Sequence, residues 1–212
     1  MEYTATLDSL NGSGVTGEAN LSLDGSELTV QIQAEGLVPG QPHPQHIHGR
    51  FGDDGEPMDS VNPTPAVDAD GDGFIEVPEG ANTYGAILLP LTSPPGGAVA
   101  DFPTADDGTL DFMQVYNLDN DEIFNGDFSS EDLFSLDLRE IVLHGMTVPE
   151  GVGAGTPNEV NGEGGYNPLV PAASGEIREV AQVPEPASIA LLTGGLMAFG
   201  GRRLAKRRHT TG

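Results

Sequence analysis

The chain has 212 residues and no cysteine, and its 33 acidic residues against 8 basic ones give a formal net charge of −25. This length suits one domain, or one domain with a tail, and disulfides are excluded. Nucleic acid is excluded as a partner because a polyanion would be repelled by this surface, whereas cations and extracellular settings suit it.

Short runs that alternate apolar and polar residues predict β-strands, and an Asp24-Gly25 turn predicts that two of them form a hairpin. The predicted strands are residues 4–7, 19–23, 28–34, 85–89, 139–144 and 174–180. Helical periodicity is weak and confined to residues 130–136, and residues 92–108 and 149–168 are predicted to be long loops. With 30 Gly and 17 Pro, this pattern predicts an all-β fold, an antiparallel Greek-key β-sandwich or barrel with long acidic loops.

Three histidines are candidates for a metal site. His46 and His48 are two residues apart, a spacing that places both imidazoles on one face of a strand. His144 ends another predicted strand, and if the two strands pair, three ring nitrogens suit copper or zinc. The alternative is that these histidines donate hydrogen bonds to loop carbonyls at strand ends.

An acidic loop has the spacing of a calcium site. Asp68, Asp70 and Asp72 alternate before Gly73, and oxygen ligands at alternate positions can wrap a hard cation. The remaining ligands would be the Phe74 carbonyl, Glu76 and Glu79. Because Pro78 discourages a following helix, we expect an EF-like loop inserted in a β-domain, with weak affinity of ~10⁻⁴–10⁻³ M. The alternative is a solvated Asp/Gly-rich turn.

The C-terminal tail has three parts in a fixed order. Val-Pro-Glu-Pro at 183–186 precedes an apolar stretch at 189–201, which is shorter than the ~20 residues of a membrane helix, and a basic cluster at 202–208. This order resembles the PEP-CTERM sorting signal of exopolysaccharide-producing Gram-negative bacteria. The resemblance implies export, transient insertion of a short apolar helix in the inner membrane, and processing by an exosortase-type enzyme at Pro184, Glu185 and Pro186.

The same resemblance implies an N-terminal signal peptide. Residues 1–7 carry neither a basic n-region nor an apolar h-region. Either the true start lies further upstream, or the signal has already been removed, or export fails.

The rest of the chain resembles the CHRD domain of exported bacterial proteins. The resemblance rests on Tyr-Thr-Ala-Thr-Leu at 3–7, His-Pro-Gln-His-Ile-His-Gly at 43–49 and Ile-Val-Leu-His-Gly at 141–145, and it spans about residues 3–180. It implies two parts, a CHRD domain at 1–180 and a sorting tail at 181–212.

A weaker resemblance links the chain to copper/zinc superoxide dismutase. It rests on Gly-Leu-Val-Pro-Gly at 36–40, on the His-x-His that follows, and on the strand that ends at His144. It implies a dismutase-like sandwich in which His46, His48 and His144 occupy copper-ligand positions. The chain departs from that family because Ser60 stands near the place of the bridging histidine.

These features together predict an exported, non-catalytic module of the cell surface or biofilm matrix, in which calcium stabilises the 68–79 loop. Its expected partners are the exosortase, the inner membrane during export, and exopolysaccharide or surface proteins. The alternative is a superoxide dismutase-like enzyme or a copper scavenger that uses the three histidines.

Overall fold

A computed structural model of the chain describes residues 1–156 and 158–181. Within them the strands are β1 Glu2–Ser9, β2 Thr16–Asp24, β3 Glu27–Glu35, β4 Gln41–Pro42, β5 Gln45–Phe51, β6 Pro57–Met58, β7 Ala86–Pro90, β8 Thr104–Ala105, β9 Thr109–Asn117, β10 Glu140–Val148, β11 Gly165–Glu176 and β12 Arg178–Glu179. The α-helices of the described residues are α1 Val77–Tyr84 and α2 Ser130–Leu133. Residues Met1–Val180 form one compact unit.

The long strands form two antiparallel groups, β9-β3-β2-β1 and β7-β5-β10-β11. They meet where Asp8 and Ser9 of β1 pair with Ser174 and Ala173 of β11. The chain forms β1, β2 and β3 as a meander, and β11 returns beside β1, which is Greek-key connectivity. The prediction of an all-β antiparallel sandwich is confirmed.

Alternation along the strands builds the core between the two groups. The predicted hairpin is β2–β3, closed at Asp24 and Glu27 with Gly25 at a positive φ of 62°. Inward-facing aliphatic residues of both groups, such as Leu21, Ile32 and Ile141, are fully buried in one cluster. Each such side chain contributes about 1.5–3 kcal/mol through removal of its surface from water.

The register of β5 on β10 positions the histidines. Glu140 lies opposite His48, and Val142 lies opposite His46. Directly paired residues share a face, so both histidines lie on one face of the sheet with alternate residues of β10, including His144. Ile47 and Ile141, also paired, point to the opposite face and into the core.

Several local predictions were wrong. A helix does follow the acidic loop, although Pro78 was expected to discourage it. Helix α1 begins at Val77 with Pro78 in its first turn, where a missing N–H costs no hydrogen bond. Strand β9 was not predicted, and β11 begins at Gly165 inside a stretch predicted to be a loop. The predicted strand at 174–180 is divided between β11 and β12.

The sorting tail lies outside the described residues. This applies to the predicted apolar helix and to the processing residues Pro184, Glu185 and Pro186. Within the described part of the chain, no helix has the length and apolarity needed to cross a membrane.

Candidate functional site

The structure brings His46, His48 and His144 together. One ring nitrogen from each residue lies within 4.8 Å of the others. The ring centroid of His46 is 5.5 Å from that of His48 and 5.2 Å from that of His144. Strands β5 and β10 are adjacent, so the fold itself produces this approach.

Backbone carbonyls determine which nitrogens of the cluster are free. Nδ1 of His48 donates to the Gly85 carbonyl at 3.0 Å, and Nδ1 of His144 donates to the Leu169 carbonyl at 2.7 Å. A carbonyl only accepts, so both Nδ1 atoms carry the proton and both Nε2 atoms present lone pairs. These Nε2 atoms and Nδ1 of His46 are buried without a hydrogen-bond partner. The alternative, that these histidines only make hydrogen bonds to backbone carbonyls, therefore accounts for Nδ1 of His48 and Nδ1 of His144. It does not account for the three buried nitrogens without a partner.

Burial keeps the cluster neutral. Desolvation, followed by the charge of His144, lowers the pKa of His48 to about 3. Desolvation also lowers the pKa of His144 to about 4, and desolvation with both neighbours lowers that of His46 well below its ordinary value. Neutral imidazole is the form that binds metals, so the cluster needs no deprotonation at neutral pH. The residues present therefore fit a copper or zinc ion.

Two aromatic rings that the sequence analysis missed line the cluster. Phe102 packs edge-on against His46, with ring centroids 5.1 Å apart, and Tyr84 of α1 packs edge-on against His48 at 4.8 Å. The exposed fraction of His46 is 8%. No periodic pattern marked these rings as neighbours of the histidines.

Three other buried polar side chains, those of His43, Ser60 and Arg139, make structural contacts. His43 directs its ring nitrogens at the carbonyls of His144 and Val38, at 3.0 and 3.2 Å. Ser60 is buried and accepts from the backbone N–H of Arg50. Arg139 is fully buried and its guanidinium donates to backbone carbonyls, those of Asp132, Leu133 and Phe134.

The acidic loop brings its carboxylates into two groups of three that share Asp70. Oxygens of Asp68, Asp70 and Asp72 lie within 4.8 Å of one another, and so do oxygens of Asp70, Glu76 and Glu79. Asp68 accepts from the backbone N–H groups of residues 71 and 73, at 2.7 and 3.0 Å, which closes the turn. The five predicted acidic ligands thus fall into two overlapping groups joined at Asp70.

Glu79 and Phe74 attach this loop to the sandwich. Glu79 accepts from the backbone N–H of Ala69 at 2.6 Å and from that of Glu76 at 3.1 Å, which fastens the first turn of α1 to the loop. The ring of Phe74 belongs to the hydrophobic core.

Three carboxylate oxygens beside this loop are buried without a hydrogen-bond partner. They are Asp72 Oδ2, Glu76 Oε2 and Glu159 Oε2. Glu76 is fully buried; burial first, and then the charges of neighbouring carboxylates, raise its pKa to about 7. Burial likewise raises the pKa of Asp72. In the described part of the chain the one ion pair joins Arg178 and Glu176, so no side-chain cation neutralises this cluster.

Residues far away in the sequence complete the loop's surroundings. Val160 donates its backbone N–H to Glu76 at 2.7 Å, and Asn158 donates to Asp70 at 2.8 Å. Asn11 donates to the carbonyls of Ile75 and Pro171, both at 2.9 Å, and accepts from the backbone N–H of Ile75 at 2.6 Å. The sequence offered no signal for these contacts because the partners lie up to 160 positions apart.

Comparison with known protein families finds a similarity at the C-terminus. Residues 182–207 match the PEP-CTERM protein-sorting motif. No curated protein matches the chain. The match confirms the sorting signal, and with it export to the cell surface through the membrane and processing by an exosortase. The CHRD and dismutase resemblances of residues 1–180 stay predictions.

Proposed function

We propose that residues 1–180 form a non-catalytic cell-surface module whose acidic loop is held in place by one calcium ion. The observation that carries this proposal is Glu76, which is fully buried and keeps one oxygen unpaired beside Asp70 and Glu79. A buried carboxylate without a partner is costly, and a hard cation with oxygen ligands removes that cost.

The ligands in this proposal come from one loop. They are Asp68, Asp70, Asp72, the carbonyl of Phe74, Glu76 and Glu79. Since Glu76 and Asp70 also accept hydrogen bonds from Val160 and Asn158, the ion would rigidify two loops at once. Calcium therefore has a structural role in this proposal, and the module binds through its surface.

The partner follows from the sorting signal and from charge. A chain delivered to the surface of a Gram-negative cell meets exopolysaccharide and other surface proteins. Residues 1–183 carry 32 acidic against 3 basic residues, so a partner would present cationic or neutral groups, or would be bridged by divalent cations. The CHRD resemblance supports a binding role of this kind in the matrix.

A second candidate function is copper binding at His46, His48 and His144. Two observations favour it: one ring nitrogen of each histidine lies within 4.8 Å of the others, and each histidine has a buried ring nitrogen without a hydrogen-bond partner. Copper would supply one-electron redox chemistry there. Since Ser60, near the place of the bridging histidine, accepts from a backbone N–H, the arrangement supports a copper scavenger more than a dismutase.

Metal analysis separates these functions. The full chain, equilibrated in detergent with calcium above its expected dissociation constant of ~10⁻⁴–10⁻³ M, is expected to retain about one calcium per chain. Asp70→Asn, which alters the carboxylate shared by both oxygen groups, should abolish retention, whereas Asp111→Asn on the exposed face of β9 should not. A chain that binds no calcium at millimolar concentrations would refute the main proposal. Stoichiometric copper would support the second one.

A further inference from the structure

Helix α1 connects the acidic loop to the histidine cluster. Its first turn belongs to the loop, because Glu79 accepts from the backbone N–H groups of Ala69 and Glu76. The eight residues of α1 then run to Tyr84, and the chain reaches β7 at once. The two sites are thus the two ends of one short rigid element.

The last residues of α1 hold His48. The ring of Tyr84 is fully buried and packs edge-on against the imidazole, with centroids 4.8 Å apart. The carbonyl of Gly85, the next residue, accepts from Nδ1 of His48 at 3.0 Å. The first contact sets the plane of the imidazole, and the second keeps the Nε2 lone pair directed at the other histidines.

The residues between the first turn of α1 and His48 are closely packed. A β-carbon at Gly80 would overlap the phenol of Tyr84, and one at Gly85 would overlap the carbonyl of Gly49 on β5. A displacement of the first turn of α1 therefore reaches Gly85 and β5 instead of being absorbed by empty space.

From this geometry we infer that the two sites are coupled: calcium at the acidic loop tightens binding of a soft metal ion at the three histidines. The inference rests on the proposed calcium site. Without a cation, repulsion among Asp72, Glu76 and Glu79 favours an open loop, in which α1 holds Tyr84 and Gly85 less firmly. With calcium, the closed loop fixes α1 and preorganises His48. By linkage, the soft metal also raises the affinity for calcium by the same factor.

Copper(I) is the probe that isolates the histidine site, because carboxylates bind it poorly. Its affinity for the full chain would be measured anaerobically, in competition with a chromogenic chelator, with and without about 5 mM calcium. We expect calcium to tighten copper(I) binding about tenfold. Asp68→Asn should lower the calcium affinity and abolish the tenfold effect, and Asp111→Asn should preserve both.

Tyr84 supplies the test of the path. Tyr84→Phe keeps the ring against His48 and should retain the calcium effect, whereas Tyr84→Leu should reduce it to less than about twofold while each metal still binds. If Tyr84→Leu does not fold, the reciprocal measurement in the unaltered chain tests the coupling itself: saturating copper(I) should tighten calcium binding by the same factor, and an unchanged calcium affinity would refute the coupling.

The outcomes distinguish this inference from the proposed function. If calcium binds and stabilises the chain but leaves the copper(I) affinity unchanged, the coupling is refuted and the calcium module stands. If calcium does not bind at all, both are refuted. Calcium-dependent copper(I) binding that persists in Asp68→Asn at a calcium concentration where this variant binds no calcium would also refute the coupling, since it would place the effect elsewhere.

Discussion

The histidine cluster and the acidic loop both bury ionisable groups, and burial acts on them in opposite directions. His48 and His144 are neutral at pH 7 because desolvation lowers their pKa values to about 3 and about 4. Glu76 is half ionised there because desolvation raises its pKa to about 7. Neutrality costs the histidines nothing at pH 7, whereas the carboxylates need a proton or a cation. The comparison gives the physical reason for proposing different metals at the two sites.

Removing the charge of Glu76 should have the largest effect. In metal-free protein at pH 8, we expect Glu76→Gln to raise the free energy of unfolding by about 3 kcal/mol, the equivalent of a pKa raised from 4.5 to about 7. The sign follows from linkage: the folded pKa is raised, so this contribution to stability is lost as pH rises through about 7. Glutamine still accepts from the N–H of Val160. Urea unfolding in EDTA measures the change, and a destabilised variant would show that the buried carboxylate is already satisfied.

Calcium should have the next largest effect. About 10 mM calcium should stabilise the chain by about 2–3 kcal/mol if the dissociation constant is ~10⁻⁴ M, by mass action on the folded state. Asp72→Asn should remove most of this increment, with Asp111→Asn as the matched control. The increment should shrink from pH 8 to pH 6, because protons compete with calcium for Glu76. An identical melting curve in calcium and in chelator would refute the calcium site and favour the alternative, a solvated Asp/Gly-rich turn.

The histidine cluster should show the opposite pH dependence. Since the folded pKa of His48 lies below its ordinary 6.5, the unfolded chain takes up a proton that the native chain excludes, and stability is lost as pH falls below 6.5. From pH 7 to pH 5 this loss amounts to about 2 kcal/mol for His48 alone. In paired urea titrations between pH 7 and pH 5, the free energy of unfolding of His48→Gln should therefore fall by about 2 kcal/mol less than that of the unaltered chain. Parallel titration curves would mean that His48 is accessible to protons in the folded state.

The smallest expected effect is on superoxide. We expect the copper-loaded chain to dismute superoxide no faster than free copper at the same concentration. The anionic surface slows an anionic substrate, and Ser60 stands near the place of the bridging histidine of the dismutase family. Pulse radiolysis or stopped-flow would measure the rate. A rate well above that of free copper, lost in His46→Ala, would restore the enzymatic alternative.

The pattern within single segments predicted much of both sites. The two-residue spacing of His46 and His48 is informative because a strand returns to the same face every second residue. The alternate aspartates from Asp68 to Asp72 are informative because one short turn must supply several ligands. Both signals are local, so neither depends on how distant strands pair.

The missed features depend on distant contacts or on the exact start of an element. Glu159 and Tyr84 approach the sites only after β11 and α1 have packed, and nothing near them in the sequence marks that position. Pro78 was misread because its effect depends on its place: it disrupts a helix interior and suits a first turn. Exposed Met113 and Val115 obscured the alternation that makes β9 a strand.

The contact between Asn11 and the loop depends on a side-chain amide that can hydrolyse with time. Asn11 is followed by Gly12, the neighbour that least hinders attack of its backbone nitrogen on the side-chain amide, so this is a site for spontaneous deamidation. The product is a carboxylate, which cannot donate to the carbonyls of Ile75 and Pro171 that the amide now holds. An aged protein should therefore accumulate an acidic isoform, detectable by charge-variant chromatography. Asn11→Asp should reproduce the loss of the two donated hydrogen bonds, and it should weaken calcium binding if the loop holds the proposed ion.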